Sequence, residues 1–135
     1  MDSQTLDSIA DMICGDGQDY PVYRTGSELT RFFQRVGFSN FQHDGSTRKW
    51  WTLDVLKQLT NNNLKAVVLR LADPREYRGN QKQVCQAIIK LNEILMVEGL
   101  KVEIQGIRPI LKEIELQFVE QVIGDVIGDV RSERS

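Results

Sequence analysis

Residues 27–59 constrain the fold of this chain more than any other stretch, because they carry most of its large aromatic side chains. Four of the five phenylalanines and both tryptophans lie there. The first part has the apolar spacing of an amphipathic helix, formed by Leu29, Phe32, Phe33 and Val36. Ser27 is the predicted N-cap of this helix, and Gly37 is its predicted stop.

A second helix is predicted in the same stretch, capped by Ser46 or Thr47 and extending to Leu59. It contains Trp50 and Trp51 side by side. Neighbouring residues on a helix point about 100° apart, so a single core can hardly bury both rings. One of the two tryptophans is therefore a candidate contact for a protein partner.

Two further helices are predicted on either side of this stretch. Residues 4–14 place apolar side chains at helical spacing, with Asp2 or Ser3 as the cap. Residues 80–98 have the longest continuous apolar stripe in the chain, and Asn80 is the predicted cap of that helix.

Residues 64–71, LKAVVLRL, allow two interpretations. Their length and two valines suit a buried strand, but the apolar side chains also match helical spacing. We favour a helix capped by Asn62 or Asn63, with Asn61–Asn63 ending the preceding helix, and keep the strand as the alternative. The following PREYRGN predicts a connection with one helical turn opened by Pro74.

Residues 100–105 alternate apolar and polar side chains, which predicts a β-strand. Gly106 begins a turn, and residues 109–114 are the predicted partner strand, with Pro109 at its start or on an edge. The predicted fold class is α+β and mainly α. About five helices are followed by a C-terminal β-hairpin and a tail with a hydrophobic seam.

Residues 116–135 form that tail, and residues 1–115 are predicted to form a single domain. The seam steps by three and four residues, as in a coiled coil, and comprises Leu116, Val119, Ile123, Val126 and Val130. Gly124 and Gly128 each cost a helix about 1 kcal/mol relative to alanine. We therefore expect the tail to dock on the domain, to pair chains into a homo-oligomer, or to lead into another domain.

Charge is unevenly distributed, although the formal net charge is only −2. Residues 1–23 carry five aspartates and no lysine or arginine, whereas residues 24–70 carry eight basic residues against three acidic ones. The basic residues of the aromatic stretch predict a basic face made of Arg31, Arg35, Arg48, Lys49 and Lys57. Helices followed by a hairpin also occur in winged-helix proteins, so a nucleic-acid-binding face is an alternative interpretation. The nine-residue connection FSNFQHDGS is longer than the turn of about 3–4 residues in DNA-binding helix pairs.

No familiar pattern of catalytic, metal-binding or cofactor-binding residues occurs in the sequence. His43 is the only histidine, and in a polar loop it is interpreted as solvated or as bracing the loop. Ser46, Thr47, Arg48 and Lys49 at a helix start suit an anion, although capping is the favoured interpretation. We therefore expect neither an enzyme nor a bound cofactor.

Cys14 and Cys85 are isolated and lie in apolar helical patterns, which predicts two buried, reduced thiols. No apolar run approaches the roughly 20 residues that span a bilayer. The acidic N-terminus is unlike the basic start of a signal peptide. A cytoplasmic location without membrane insertion is therefore expected.

Four segments occur in a recognisable order: ELTRFFQRVGF, DGSTRKWWTLDVLKQL, LRLADPREYRGN and AIIKLNEILMVEGLKVEI. Together they resemble a small N-terminal module of bacterial multidomain proteins, including some linked to anti-phage conflict systems. The resemblance covers about residues 27–115 and implies an adaptor joined to varied effector domains. This chain departs from that pattern by having no effector domain, which fits a stand-alone copy or an excised piece.

The sequence thus favours a non-enzymatic protein-interaction or adaptor module of a bacterial defence system. Its expected partner is a protein or a fused effector domain. The candidate contact residues are Trp50, Trp51, Arg31, Arg35, Arg48 and Lys49. The alternative function is a winged-helix-like nucleic-acid-binding domain.

Overall fold

The structure is a computed structural model that describes residues 1–114, and these residues form five α-helices and a β-hairpin. The helices are α1 (Ser3–Cys14), α2 (Gly26–Val36), α3 (Arg48–Gln58), α4 (Asn61–Ala72) and α5 (Gln81–Leu95). Two short 3₁₀ turns, Pro74–Tyr77 and Met96–Glu98, flank α5, and the antiparallel strands are β1 (Leu100–Gln105) and β2 (Arg108–Glu113). The predicted class, α+β and mainly α, is confirmed. The predicted seam and tail at 116–135 lie outside the described residues.

Two helix starts follow the sequence prediction, since the side chains of Asp2 and Asn80 cap α1 and α5. The predicted Ser27 cap of α2 is wrong, because Thr25 takes that role. The Thr25 hydroxyl accepts a hydrogen bond from the Glu28 N–H, while the Glu28 carboxylate accepts one from the Thr25 N–H. This reciprocal pair satisfies two donors that a helix start otherwise leaves free.

The junction between α3 and α4 also differs from the prediction. The Thr60 hydroxyl accepts the Asn63 N–H, so Thr60 is the cap of α4 rather than Asn62 or Asn63. Asn61–Asn63 form the first turn of α4 and do not end α3. Residues 64–71 lie inside this 12-residue helix, so the favoured helical interpretation is confirmed and the strand is excluded.

One core joins the apolar faces of all five helices. Helix α1 packs against α3 and α5, and α4 packs against α2 and α5. The largest fully buried side chains are Ile9, Met12, Ile13, Leu29, Phe32, Phe33, Leu56, Val67, Val68, Leu71, Leu91 and Leu95. Residues 27–59 therefore supply part of this core, and α1, α4 and α5 supply the rest.

The hairpin packs β1 on α5 and β2 on α4. Asn92 of α5 fixes its position, because the side-chain amide donates to the Val102 carbonyl oxygen and the Asn92 Oδ1 accepts the Val102 N–H. Strand β2 begins at Arg108, one residue before the predicted start at Pro109.

The loop between α1 and α2 is held tightly at Gly15. Its φ is 73°, and a Cβ atom there would overlap the carbonyl group of Val22. Beside it, the backbone N–H of Arg24 donates to the Cys14 carbonyl oxygen. The loop is thereby folded back on the end of α1, and this brings Arg24 into the core.

The two cysteines have different environments. Cys14 is buried as predicted, and burial raises the pKa of its thiol. The prediction that Cys85 is buried is wrong, because the buried face of α5 is formed by Val84, Ala87 and Leu91 and the Cys85 side chain points away from it. Both are free thiols.

Candidate interaction surface

Helix α3 directs its two tryptophans to different environments. Trp51 lies partly buried, with its ring centroid 5.7 Å from that of Phe33 and 5.2 Å from that of His43. Trp50, in contrast, is 61% exposed. Trp50 is thus the tryptophan that the core does not use.

Lys49 fixes α3 to α1 next to this exposed ring. Its Nζ lies 2.5 Å from Asp11 Oδ1 and 3.2 Å from Asp7 Oδ2. Burial acts to lower the pKa of Lys49, but the two carboxylates outweigh it and raise the pKa above its usual value. Nζ also lies 5.7 Å from the Trp50 ring centroid, within the range of a cation–π contact.

Arg48 fixes the start of α3 to the loop after α1. Its guanidinium donates to the carbonyl oxygens of Arg24 (2.8 Å) and Cys14 (2.6 Å) and to the Asp16 carboxylate (3.0 Å). The same group stacks over the half-exposed Tyr23 ring, 4.2 Å from its centroid. These bonds hold a helix start that lacks a side-chain cap, since Thr47 occupies the N-cap position without a capping hydrogen bond.

A shallow groove of about 530 Å³ lies on the surface where α1 and α3 meet. From α3 it is lined by Leu53 and Lys57, which follow Trp50 at positions i+3 and i+7 and so share its side of the helix. From α1 it is lined by Ser3, Gln4, Asp7 and Ser8. We call Trp50 together with this groove the Trp50 surface.

The other two predicted basic residues, Arg31 and Arg35, belong to a different part of the molecule. They line a cavity of about 440 Å³ between α2, the end of α4 and the Pro74–Tyr77 turn. We call it the arginine cleft, because six arginines line it: Arg24, Arg31, Arg35, Arg70, Arg75 and Arg78.

Glu76 lies at the base of the arginine cleft with a side chain only 2% exposed. Its carboxylate accepts hydrogen bonds from Arg24 (3.1 Å), Arg35 (2.6 Å) and Arg70 (2.6 Å). Burial acts to raise the pKa of Glu76, but these three arginines outweigh it and hold the pKa below its usual value. The carboxylate is therefore charged and fully paired.

The cluster around Glu76 was missed by the sequence interpretation, which predicted the helical turn opened by Pro74 but gave no role to the charged residues of PREYRGN. The only local signal was the alternation of arginine and glutamate in that segment. Arg24 and Arg35 join it from more than forty residues away, as the hydrogen bonds to Glu76 span 52 and 41 positions. Pairing between residues so far apart in the sequence can be recognised only from the three-dimensional arrangement of the helices.

His43 braces its loop, which is one of the two roles predicted for it. Its backbone N–H donates to the Thr30 hydroxyl at 2.8 Å, and its Nδ1 accepts the Gly45 N–H. Its Nε2 is buried and has no hydrogen-bond partner within residues 1–114. The predicted anion site at residues 46–49 is occupied by the domain itself, because Asp44 accepts the Ser46 N–H and internal acceptors bind Arg48 and Lys49.

In the part of the chain that the structure describes, no cluster of histidine, cysteine and carboxylate side chains is suited to hold a metal ion. Nor does any of its helices combine the length and apolarity needed to cross a membrane. Searches against protein-family models, curated proteins and solved structures gave no match for this chain.

Proposed function

We propose that this chain is a non-enzymatic protein-interaction module, an adaptor, whose partner binds at the Trp50 surface. The observation that carries the proposal is the 61% exposure of Trp50 on a helix that is fixed to its neighbours. Tryptophan, with tyrosine and arginine, is enriched among the residues that dominate binding energy at protein interfaces.

The rigidity of the Trp50 surface supports this function. The residues just before Trp50, Arg48 and Lys49, bind groups on α1 and on the loop that follows it. A side chain on a preorganised backbone loses less conformational entropy on binding than one on a mobile loop. The partner therefore meets a surface that is already in its binding arrangement.

Other apolar side chains are exposed, but they support the proposal less. Ile107 lies at the hairpin turn and is 88% exposed, and Ile89 on α5 is 62% exposed. Single exposed aliphatic residues are common on protein surfaces and need no binding partner. Ile89 is thus a suitable control position for Trp50.

A winged-helix-like nucleic-acid binder is the alternative, and it requires that the basic residues of 31–57 be available to phosphates. Three of them, Arg35, Arg48 and Lys49, instead form ion pairs with carboxylates of the same domain. Each such pair reduces the charge that a nucleic acid would meet. This favours the protein partner.

The cellular setting that we propose follows from the resemblance noted in the sequence. There, comparable modules belong to bacterial multidomain proteins, including some linked to anti-phage conflict systems, and are joined to effector domains. The partner of this chain is accordingly a cytoplasmic effector, either fused to the module or separate.

A quantitative pull-down tests the proposal with the full chain as bait. Wild type, Trp50→Ala and Ile89→Ala are each exposed to a lysate of the source cells, and bound proteins are measured by mass spectrometry. The proposal predicts a protein recovered by wild type and Ile89→Ala but lost with Trp50→Ala. Equal recovery by all three baits, or none by any, contradicts it.

A further inference from the structure

The arginine cleft carries more positive charge than the domain itself balances. Six arginines and two glutamates, Glu28 and Glu76, line it. Asp73 adds a third carboxylate, since it binds Arg75 at 2.6 Å. Three positive charges remain, on a protein whose formal net charge is −2.

Glu76 binds three arginines at the base of the cleft, and two further arginines at the rim have side chains without a partner. The side chains of Arg31 and Arg78 are exposed and form no hydrogen bond or ion pair among residues 1–114. Arg35 uses Nε and Nη2 on Glu76, and Arg70 uses only Nε. Their remaining N–H groups add further donors around one cavity of about 440 Å³.

The backbone at Arg78 is the second observation that points to a ligand. Its φ of 52° makes it the only residue other than glycine with positive φ in the described part of the chain. A large side chain is uncommon in this left-handed region, and such residues cluster at binding sites. Arg78 is the left-handed C-cap of the Pro74–Tyr77 turn, a position that glycine would fill with less strain.

An apolar cavity of about 590 Å³ adjoins the cleft, because Arg75 and Arg78 line both. Its other side is formed by Pro74, Ile107 and Pro109. A ligand that places an anionic group among the arginines therefore has apolar surface beside it for a larger, uncharged part.

We propose that the arginine cleft binds a terminal phosphate group, with the rest of the ligand lying against Pro74, Ile107 and Pro109. Arginine forks match phosphate oxygens in pairs, and a phosphomonoester carries close to two negative charges at neutral pH. Its three terminal oxygens engage several guanidinium groups at once, which suits a site with Arg31 and Arg78 on its rim. The group belongs to a phosphorylated side chain or to a free nucleotide.

A long nucleic acid fits these observations less well. Its binding energy comes from many phosphates along an extended basic track, and it falls steeply with salt. Here six arginines gather around one cavity, and the chain as a whole is slightly acidic, with a net charge of −2. A compact phosphate is the better match.

The test uses the full chain and titration calorimetry with five probes: inorganic phosphate, AMP, a phosphothreonine peptide, its unphosphorylated form and a 20-nucleotide RNA. The proposal predicts saturable binding of AMP or of the phosphopeptide, tighter than that of inorganic phosphate, and none of the unphosphorylated peptide. AMP and the phosphopeptide distinguish the two sources of the phosphate.

Three variants locate the binding. Arg31→Gln and Arg78→Gly each weaken it about tenfold, as expected for loss of a charge-assisted hydrogen bond. Arg78→Gly also unfolds at the same or a higher temperature, because it relieves the left-handed backbone. Lys65→Gln, an exposed lysine that does not line the cleft, changes the affinity by less than about twofold.

Three outcomes overturn the proposal. The first is no binding of either phosphorylated probe at millimolar concentration. The second is an equal loss of affinity in Lys65→Gln and in the two cleft variants. The third is RNA that binds more tightly than both compact phosphates, which would favour a nucleic-acid site instead.

Discussion

The guanidinium of Arg24 and the carboxylate of Glu76 lie 3.1 Å apart, with side chains only 3% and 2% exposed. This ion pair connects the loop before α2 to the turn after α4, two segments 52 positions apart. Arg24 also donates to the Ile13 carbonyl oxygen at 3.0 Å and lies over the Phe32 ring. The pair therefore joins three segments of the chain at the edge of the core.

Replacing Glu76 by glutamine is expected to lower the free energy of unfolding by about 3 kcal/mol, because the buried Arg24 loses its counter-charge. Glu93→Gln is the control, since Glu93 is exposed and its pair with Lys90 is 3.7 Å long. Urea unfolding followed by circular dichroism measures both variants. Equal midpoints for the two would contradict the role given to Glu76.

The contribution of Glu76 also depends on pH. Its pKa is lowered in the folded state, so the folded protein releases this proton more readily than the unfolded chain, whose glutamates titrate near pH 4.3. The stabilisation is therefore complete above about pH 4.3 and is lost as pH falls through the folded-state pKa. We predict that the stability gap between wild type and Glu76→Gln is constant from pH 7 to 5 and narrows below pH 4. A difference in stability between wild type and Glu76→Gln that grows as the pH falls would contradict the lowered pKa of Glu76.

Gly26 and His43 are expected to be coupled. A Cβ at Gly26 would overlap the His43 ring, so Gly26→Ala should destabilise the protein by about 1–3 kcal/mol. The same change in a His43→Ala background should cost little, because the ring is gone. A double-mutant cycle of unfolding free energies measures the coupling. If the changes in unfolding free energy of the two single variants simply add, the His43 ring is not in close contact with position 26.

The two tryptophans should differ in their effect on stability. Trp51→Ala removes contacts to Phe33 and His43 and is expected to cost about 3 kcal/mol. Trp50→Ala removes a side chain that is 61% exposed and should change stability by less than about 0.5 kcal/mol. Thermal unfolding of both variants measures this difference. A large loss of stability in Trp50→Ala would place the Trp50 ring in the core instead.

Most of the fold could be predicted from the sequence, because the helices show apolar residues at helical spacing and a capping residue at the start. The stripe that includes Val84 and Leu91 and the Asn80 cap identify α5, and the alternation after Gly99 identifies β1. The errors in the helix caps were local choices between similar polar residues, whereas the error at Cys85 concerned which face of α5 is buried. Thr25 and Ser27 both suit an N-cap, and only the reciprocal bond with Glu28 decides between them.

The candidate surfaces were harder to predict, because a charge pattern does not reveal its partners. Arg35, Arg48 and Lys49 looked like one basic face in the sequence. In the structure Arg35 binds Glu76, and the other two bind groups on and just after α1. The adjacency of Trp50 and Trp51 did indicate that one ring stays outside the core, but only the structure shows that this ring is Trp50.

The central claim is tested most directly by measuring how tightly the partner binds. The partner recovered in the pull-down is purified, and its affinity is measured for wild type, Trp50→Ala and Ile89→Ala. Trp50→Ala should weaken binding at least about 30-fold, which corresponds to a loss of about 2 kcal/mol at a dominant contact. Ile89→Ala should bind within about twofold of wild type. Unchanged affinity in Trp50→Ala would contradict the claim that the partner binds at the Trp50 surface.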